Sequence, residues 1–123
     1  MASNKNVHFG PVALGNIVAN ILNPGTTTGG VGMPSNSGNT YFILRHIRIV
    51  NKTASSATVT LYLGATGGSS AGTEFAFNGT TVAANSYVDW YGALRMDTTD
   101  FLTGEASAAT TLTFQAEGEI GIN

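Results

Sequence analysis

The sequence predicts an all-β fold. It reads as one antiparallel β-sandwich domain of about eight strands, jelly-roll-like, with an extended N-terminal arm. Three observations carry this. From Tyr41 to Ile122 short segments alternate apolar and polar residues, the period of a pleated strand with one dry and one wet face. Clusters of Gly, Ala, Ser, Thr and Asn interrupt these segments every 8–12 residues or so, the turn spacing of sandwiches and jelly rolls. The composition is 42% apolar, enough for a core and too much for a disordered chain.

Taken in order, residues 1–11 read as an arm. Residues 12–22 are ambiguous. Leu14, Ile17, Val18, Ile21 and Leu22 have helical spacing, whereas Val12, Leu14, Val18, Asn20 and Leu22 also fit a strand. Gly15, Asn16 and Asn20 are poor helix formers, and Asn23-Pro24-Gly25 halts whatever precedes it. A strand is preferred because the rest of the chain is β. Residues 23–40, rich in Gly, Thr and Ser, form a long loop. Loops beyond about 12–15 residues tend to be functional or disordered, and in a structural protein such a loop is a reach toward a neighbour. The division expected is therefore 1–40 (arm, first strand and loop) and 41–123 (sandwich body).

Residues 41–51 make the strongest strand. Alternation places Ile43, Ile47 and Ile49 on one face and Phe42, Leu44, His46, Arg48 and Val50 on the other. Arg45 falls on the isoleucine face, which calls for a bulge or a snorkelling side chain. After a turn at 51–56, Val59, Leu61 and Leu63 point inward. Residues 64–72 are a Gly/Ser loop. Phe75 and Phe77 share a face, and Asn78-Gly79 is a hairpin signal. Short strands follow at 80–82, 86–91 and 94–96. In the second of these, Val88 and Trp90 oppose Tyr87, Asp89 and Tyr91. Residues 101–106 form another strand. Leu112, Phe114 and Ala116 alternate with Thr113, Gln115 and Glu117 in the last long one, and Ile120 and Ile122 finish the chain. No fixed-period repeat points to a solenoid.

The 123 residues suit one domain able to bury a core without staples. There is no Cys, which excludes disulfides and thiolate metal sites. Charged residues are 10% of the chain, against roughly 25% on average. A surface so poor in charge is cheap to desolvate against a neighbour, a hint of extensive protein contacts. The net charge of −2 gives no reason to expect nucleic acid or an anionic membrane as partner. No run is long enough for a membrane helix. The opening Met-Ala-Ser-Asn-Lys does not read as a secretory signal, so the expected compartment of synthesis is a cytoplasm.

Candidate chemistry is sparse. Gly68-Ser69-Ser70-Ala71-Gly72 matches the nucleophile-elbow spacing, but no helix is expected after it and His8 and His46 both precede the serine. The glycines at 29–32 and 64–72 lack the lysine and helix of a phosphate loop. Asp97 and Asp100 are a carboxylate pair better explained as capping their own turn than as binding a cation. Glu117 and Glu119 share a face with Gln115 and read as solvated. Arg45-His46-Ile47-Arg48, with Lys52, is a small basic patch rather than a nucleic-acid track. Its expected role is pairing with carboxylates across a strand or on a neighbour. Tyr87, Trp90 and Tyr91 form the one aromatic cluster. Trp90 is read first as core, while a subunit interface and stacking on a sugar ring stay open. The acceptor-like triplets at 51–53 and 78–80 are read as turns.

Several stretches resemble small virion proteins of tailed bacteriophages. They are Tyr-Phe-Ile-Leu-Arg-His-Ile-Arg-Ile-Val-Asn-Lys-Thr (41–53), Ala-Thr-Val-Thr-Leu-Tyr-Leu-Gly-Ala-Thr-Gly (57–67), Ala-Gly-Thr-Glu-Phe (71–75) and Val-Ala-Ala-Asn-Ser-Tyr-Val-Asp-Trp-Tyr-Gly (82–92). The Phe-Gly-Pro-Val-Ala-Leu opening (9–14) and Asn-Ile-Leu-Asn-Pro (20–24) look similar too. The resemblance implies a β-sandwich capsid decoration or minor capsid protein, and no catalytic residues. It implies the major capsid protein and copies of the chain itself as partners, and a virion assembled in the host cytoplasm. The expectation is thus a non-enzymatic structural protein without metal or cofactor, gripping neighbours through arm and loop. Its candidate contact residues are Val7, His8, Phe9, Arg45, Arg48, Tyr87, Trp90 and Tyr91. A tail, neck or fibre component of the same fold, and a carbohydrate-binding module, are the alternatives.

Overall fold

The computed structural model describes residues 5–24 and 40–122. Residues 1–4 of the expected arm and most of the expected loop, 25–39, lie outside them. The described chain forms eight strands and no helix: β1 (Lys5–Ala13), β2 (Ala19–Leu22), β3 (Thr40–Asn51), β4 (Ala57–Gly64), β5 (Thr80–Val82), β6 (Tyr87–Met96), β7 (Phe101–Ala106) and β8 (Leu112–Ile122).

Two four-stranded antiparallel sheets result, ordered β1-β8-β3-β6 and β2-β7-β4-β5. The pairs β1 with β8, β2 with β7, β3 with β6 and β4 with β5 are the rungs of one long two-stranded ribbon. Wrapping that ribbon adds the pairs β3 with β8 and β4 with β7. Only the β4–β5 connection stays within a sheet. This is jelly-roll topology, two Greek keys closed face to face.

The inward faces of both sheets meet in one core. Phe9, Phe42, Leu44, Ile47, Ile49, Met96 and Phe114 come from the first sheet, and Ile21, Leu22, Val59, Leu61, Val82 and Leu102 from the second. All are essentially removed from water, and each large apolar side chain so buried stabilises the fold by about 1.5–3 kcal/mol. Asn51 is also buried, with every polar atom answered. Its Nδ2 donates to Ser55 O (2.8 Å) and Val82 O (3.1 Å), and its Oδ1 accepts from Thr53 N (2.9 Å) and Oγ1 (2.7 Å). The triplet at 51–53 is therefore the clasp of the β3–β4 turn.

Five expectations differ from the fold. The stretch from Lys5 is not an arm. It is an edge strand paired along β8 from Lys5↔Ile120 to Ala13↔Thr113, with Phe9 fully buried. A bulge between Phe9 and Val12 is turned by Gly10, whose φ of +90° a side chain would resist. The two-faced division of 41–51 also changes. Arg45 is bulged, so the inward set runs Phe42, Leu44, Ile47, Ile49 and Ile43 turns outward. Segments 86–91 and 94–96 are one strand, β6, which takes its own extra residue opposite the same bulge. Finally, Phe75 and Phe77 do not lie on a regular strand. Ala76 between them has φ +65°, and the segment follows the β4 edge through single bonds such as Leu61 N to Phe77 O (3.0 Å). Asn78-Gly79 then leads into β5 rather than joining two strands as a hairpin. The preferred strand reading of 12–22 holds only at its ends, 12–13 closing β1 and 19–22 forming β2, while 14–18 between them belong to no strand.

Candidate functional site

Because side chains alternate, the cross-strand register sets the outer face of the first sheet row by row. One row reads Asn6, Glu119, Ile43, Arg95. The next reads His8, Glu117, His46, Tyr91. Then come Gln115, Arg48 and Asp89, and beyond them Thr113, Val50 and Tyr87. All three arginines of the chain and both histidines stand on this one face.

Its charges are paired within the chain. Arg48 grips Asp89 with two bonds, Nε to Oδ1 (2.8 Å) and Nη2 to Oδ2 (3.1 Å). The same guanidinium lies 4.0 Å from the Tyr87 ring centre, a cation–π contact. The Arg48 hydrogen bonds, with a smaller contribution from His46, hold the Asp89 carboxyl below its ordinary value, against the opposing effect of burial. Reciprocally, the bond to Asp89 raises Arg48. Arg45 reaches Glu119 with Nε at 2.8 Å. Arg95 sits 4.0 Å from the Tyr41 ring centre and 3.0 Å from Asp97 Oδ1.

His46 is the hub. Its Nε2 is 2.8 Å from Asp89 Oδ1 on β6, and its Nδ1 is 3.1 Å from Glu117 Oε1 on β8. The Tyr91 ring stacks flat on the imidazole, centroids 4.5 Å apart and planes 3° from parallel. His8 Nε2 lies 3.1 Å from Gln115 Oε1. Two shallow hollows adjoin the hub. One, about 420 Å³, is lined by Asn6, Val7, Arg45, His46, Tyr91, Glu117 and Gly118. The other, about 140 Å³, lies among His8, His46, Arg48, Gln115 and Glu117.

Of the eight expected contact residues, His8, Arg45, Arg48, Tyr87 and Tyr91 come together here. Phe9 is buried in the core, and Val7, which also borders the larger hollow, is partly buried against it; so is Trp90, opposite Ile47 and edge-on to Phe75 with centroids 5.0 Å apart. The core reading of Trp90 thus describes its place. Pairing of the basic cluster across strands is met by Asp89 and Glu119. Alternation had set Arg45 apart from His46 and Arg48, and the bulge brings all three to one side. Asp89 and Glu117 as partners of one histidine were not foreseen. Their sequence separation from His46 leaves no local signal, since only the register joins them.

The outer face of the second sheet is different. Thr58, Thr60, Tyr62 and Thr81 share it with two carboxylates, Glu105 opposite Thr60 and Glu74 bridged to Tyr62. A hollow of about 220 Å³ opens among Asn16, Thr58, Thr60, Glu105, Ala106 and Ser107. Ile17, the residue after Asn16, is 77% exposed. Farther along, the loop at 65–72 folds back on this sheet. Asn20 holds Thr66 and Gly67 N, and Thr103 Oγ1 donates to Gly68 O at 2.6 Å. The Gly68-to-Gly72 stretch thus caps the sheet, and no helix follows it. Asp97 and Asp100 close their own turn, Asp97 N donating to Asp100 Oδ2 at 2.8 Å. Among the described residues, no three His, Asp or Glu are grouped to hold a metal ion, and no helix is long and apolar enough to cross a membrane.

No known family and no curated protein matches this chain. Among solved structures, a chain from the structure of infectious bursal disease virus Gt strain is similar over 96% of this chain, at 12% identity and a TM-score of 0.22. This chain spans 29% of that one. A likeness so low carries no argument about function.

Proposed function

We propose that this chain is a non-enzymatic structural protein of a virion, a capsid decoration protein that docks on an assembled shell through the outer face of its β2-β7-β4-β5 sheet. The observation that carries the reading is the contrast between the two outer faces. The first sheet holds paired ions, whose burial against a neighbour is costly. The second offers hydroxyls, the Tyr62 ring and two carboxylates, Glu74 and Glu105, neither in an ion pair among the described residues, and a hollow among Asn16, Thr58, Thr60 and Glu105. Such a face is cheaper to desolvate than one built of paired ions. The resemblance of the sequence to tailed-phage virion proteins supports the same reading. So does the jelly roll, by analogy of fold, since shell proteins use it. The commitment of His46, Arg48, Asp89, Asp97 and Asp100 to internal bonds leaves little for catalysis.

The mechanism is mechanical. A protein that binds the assembled lattice and not its unfolded subunits stabilises the lattice by mass action. Several copies binding together gain avidity.

The chain has no Cys, so a single cysteine can be labelled cleanly. A bulky maleimide on Thr60→Cys should block incorporation into native particles, while the same label on Thr113→Cys, on the opposite face, should not. Electron microscopy of the particles would place the chain on head, neck or tail. Its absence from the particle, or normal incorporation of protein labelled at position 60, would overturn the reading.

A further inference from the structure

We infer that the 420 Å³ hollow beside Tyr91 is a binding site for a neutral sugar. This goes beyond the shell reading and does not depend on it, although a face turned away from the shell would be open to such a ligand.

The starting point is Tyr91, 69% exposed on the open sheet. A large exposed ring is informative because water contact with it is unfavourable. Here the ring is also held still. It lies parallel to the His46 imidazole, which itself sits between Asp89 Oδ1 at 2.8 Å and Glu117 Oε1 at 3.1 Å. The chain thus sets the angle of the platform before any ligand arrives, which removes part of the ordering cost of binding.

The groups around the platform suit a polyol. Asn6 supplies an amide, Arg45 a guanidinium and Glu117 a carboxylate whose side chain is 64% exposed. Neighbouring hydroxyls of a hexose each donate and accept, so a carboxylate opposite an amide and a guanidinium can engage a pair of them. The C–H face of the ring then lies on the phenol. The volume is at the low end for small-molecule sites, fitting one or two sugar units.

The same walls argue against other ligands. A carboxylate or phosphate would meet Glu117, and the charge of Arg45 is already balanced by Glu119, which leaves its remaining N–H groups for neutral hydroxyls. A nucleic acid strand needs a continuous positive groove, whereas every arginine on this face is paired with a carboxylate.

The test is titration of the labelled full chain, followed by NMR, with maltotriose, cellotriose and triacetylchitotriose. Sialyllactose serves as the acidic arm. The expected result is saturable shifts at Asn6, Arg45, Tyr91 and Glu117 with at least one neutral probe, with a Kd of about 1 mM as suits an open hollow. Tyr91→Ala should weaken binding by about tenfold or more, as loss of a stacking platform does, while Tyr91→Phe keeps it. Glu117→Gln should weaken it too. Should Tyr91→Ala lose its fold, Asn6→Ala on the edge strand takes its place, with weakened binding expected. The proposal is overturned by silence toward all three neutral probes, by undiminished binding in the folded Tyr91→Ala or Asn6→Ala chain, or by binding of sialyllactose alone.

Discussion

Gly118 has no room for a side chain. A Cβ there would run into the carbonyl oxygen of Ile43 and stand 3.0 Å from Leu44 Cα, backbone atoms that cannot swing aside. Gly118→Ala should therefore lower stability by about 1–3 kcal/mol. Gly64→Ala, whose nearest neighbour would be Thr73 Cγ2 at 4.0 Å, should change it little. Equal denaturant midpoints for the two would contradict this. Asp89 answers to pH. Its carboxyl is held below the ordinary value of 3.8, chiefly by the hydrogen bonds of Arg48. A depressed carboxylate adds stability that is complete above the unfolded value and disappears as pH falls through the folded one. The gap in Tm between the natural chain and Asp89→Asn should accordingly be full at neutral pH and shrink below about 3.8. A gap constant into strong acid would refute the assignment.

Among the elements, β1 decides most. Its pairing with β8 and the burial of Phe9 tie residues from Lys5 onward into the body. Phe9→Ala should cost about 3–5 kcal/mol. Removing residues 1–13 should do more, because β8 would become an uncovered edge inviting aggregation. A shortened chain that elutes as a single folded species and melts like the full one would show that β1 is dispensable. The elements also show what the sequence could tell. Residues 57–64 were legible as a strand because their alternation is unbroken, and 80–82 and 101–106 because turn residues bound them. Residues 41–51 were legible as a strand but not in their faces, since one bulged arginine reverses the alternation beyond it. The misfit of Arg45 with the isoleucine face was the only trace of that bulge. Phe75 and Phe77 have strand spacing, yet Ala76 takes a left-handed conformation that no pattern of residue types announces.

As a whole the molecule is a wrapped ribbon. The first and last strands are neighbours and both sheets draw on both halves of the chain, so the division at residue 40 does not separate two bodies. Unfolding should be one cooperative event. The fluorescence of Trp90, packed between its own sheet and Phe75, should lose its native signal at the same denaturant concentration as the far-ultraviolet circular dichroism. Two separated transitions would mean that the halves fold apart. With pairings so distant in sequence, folding should take milliseconds to seconds, as in other all-β domains. The candidate site belongs to this scale. His46, Asp89 and Glu117 come from three strands, and none announces the others.

The alternation and the turn residues determined by themselves that this chain is a sandwich of antiparallel strands, because periodicity and turn chemistry are local properties of neighbouring residues. Which strands lie side by side, which way β3 faces beyond its bulge, that residues 5–13 belong to the body, and that three strands converge on one histidine were decided only in the folded molecule. Those outcomes depend on register between segments far apart in the chain, and register is fixed by the shared core rather than by any one segment.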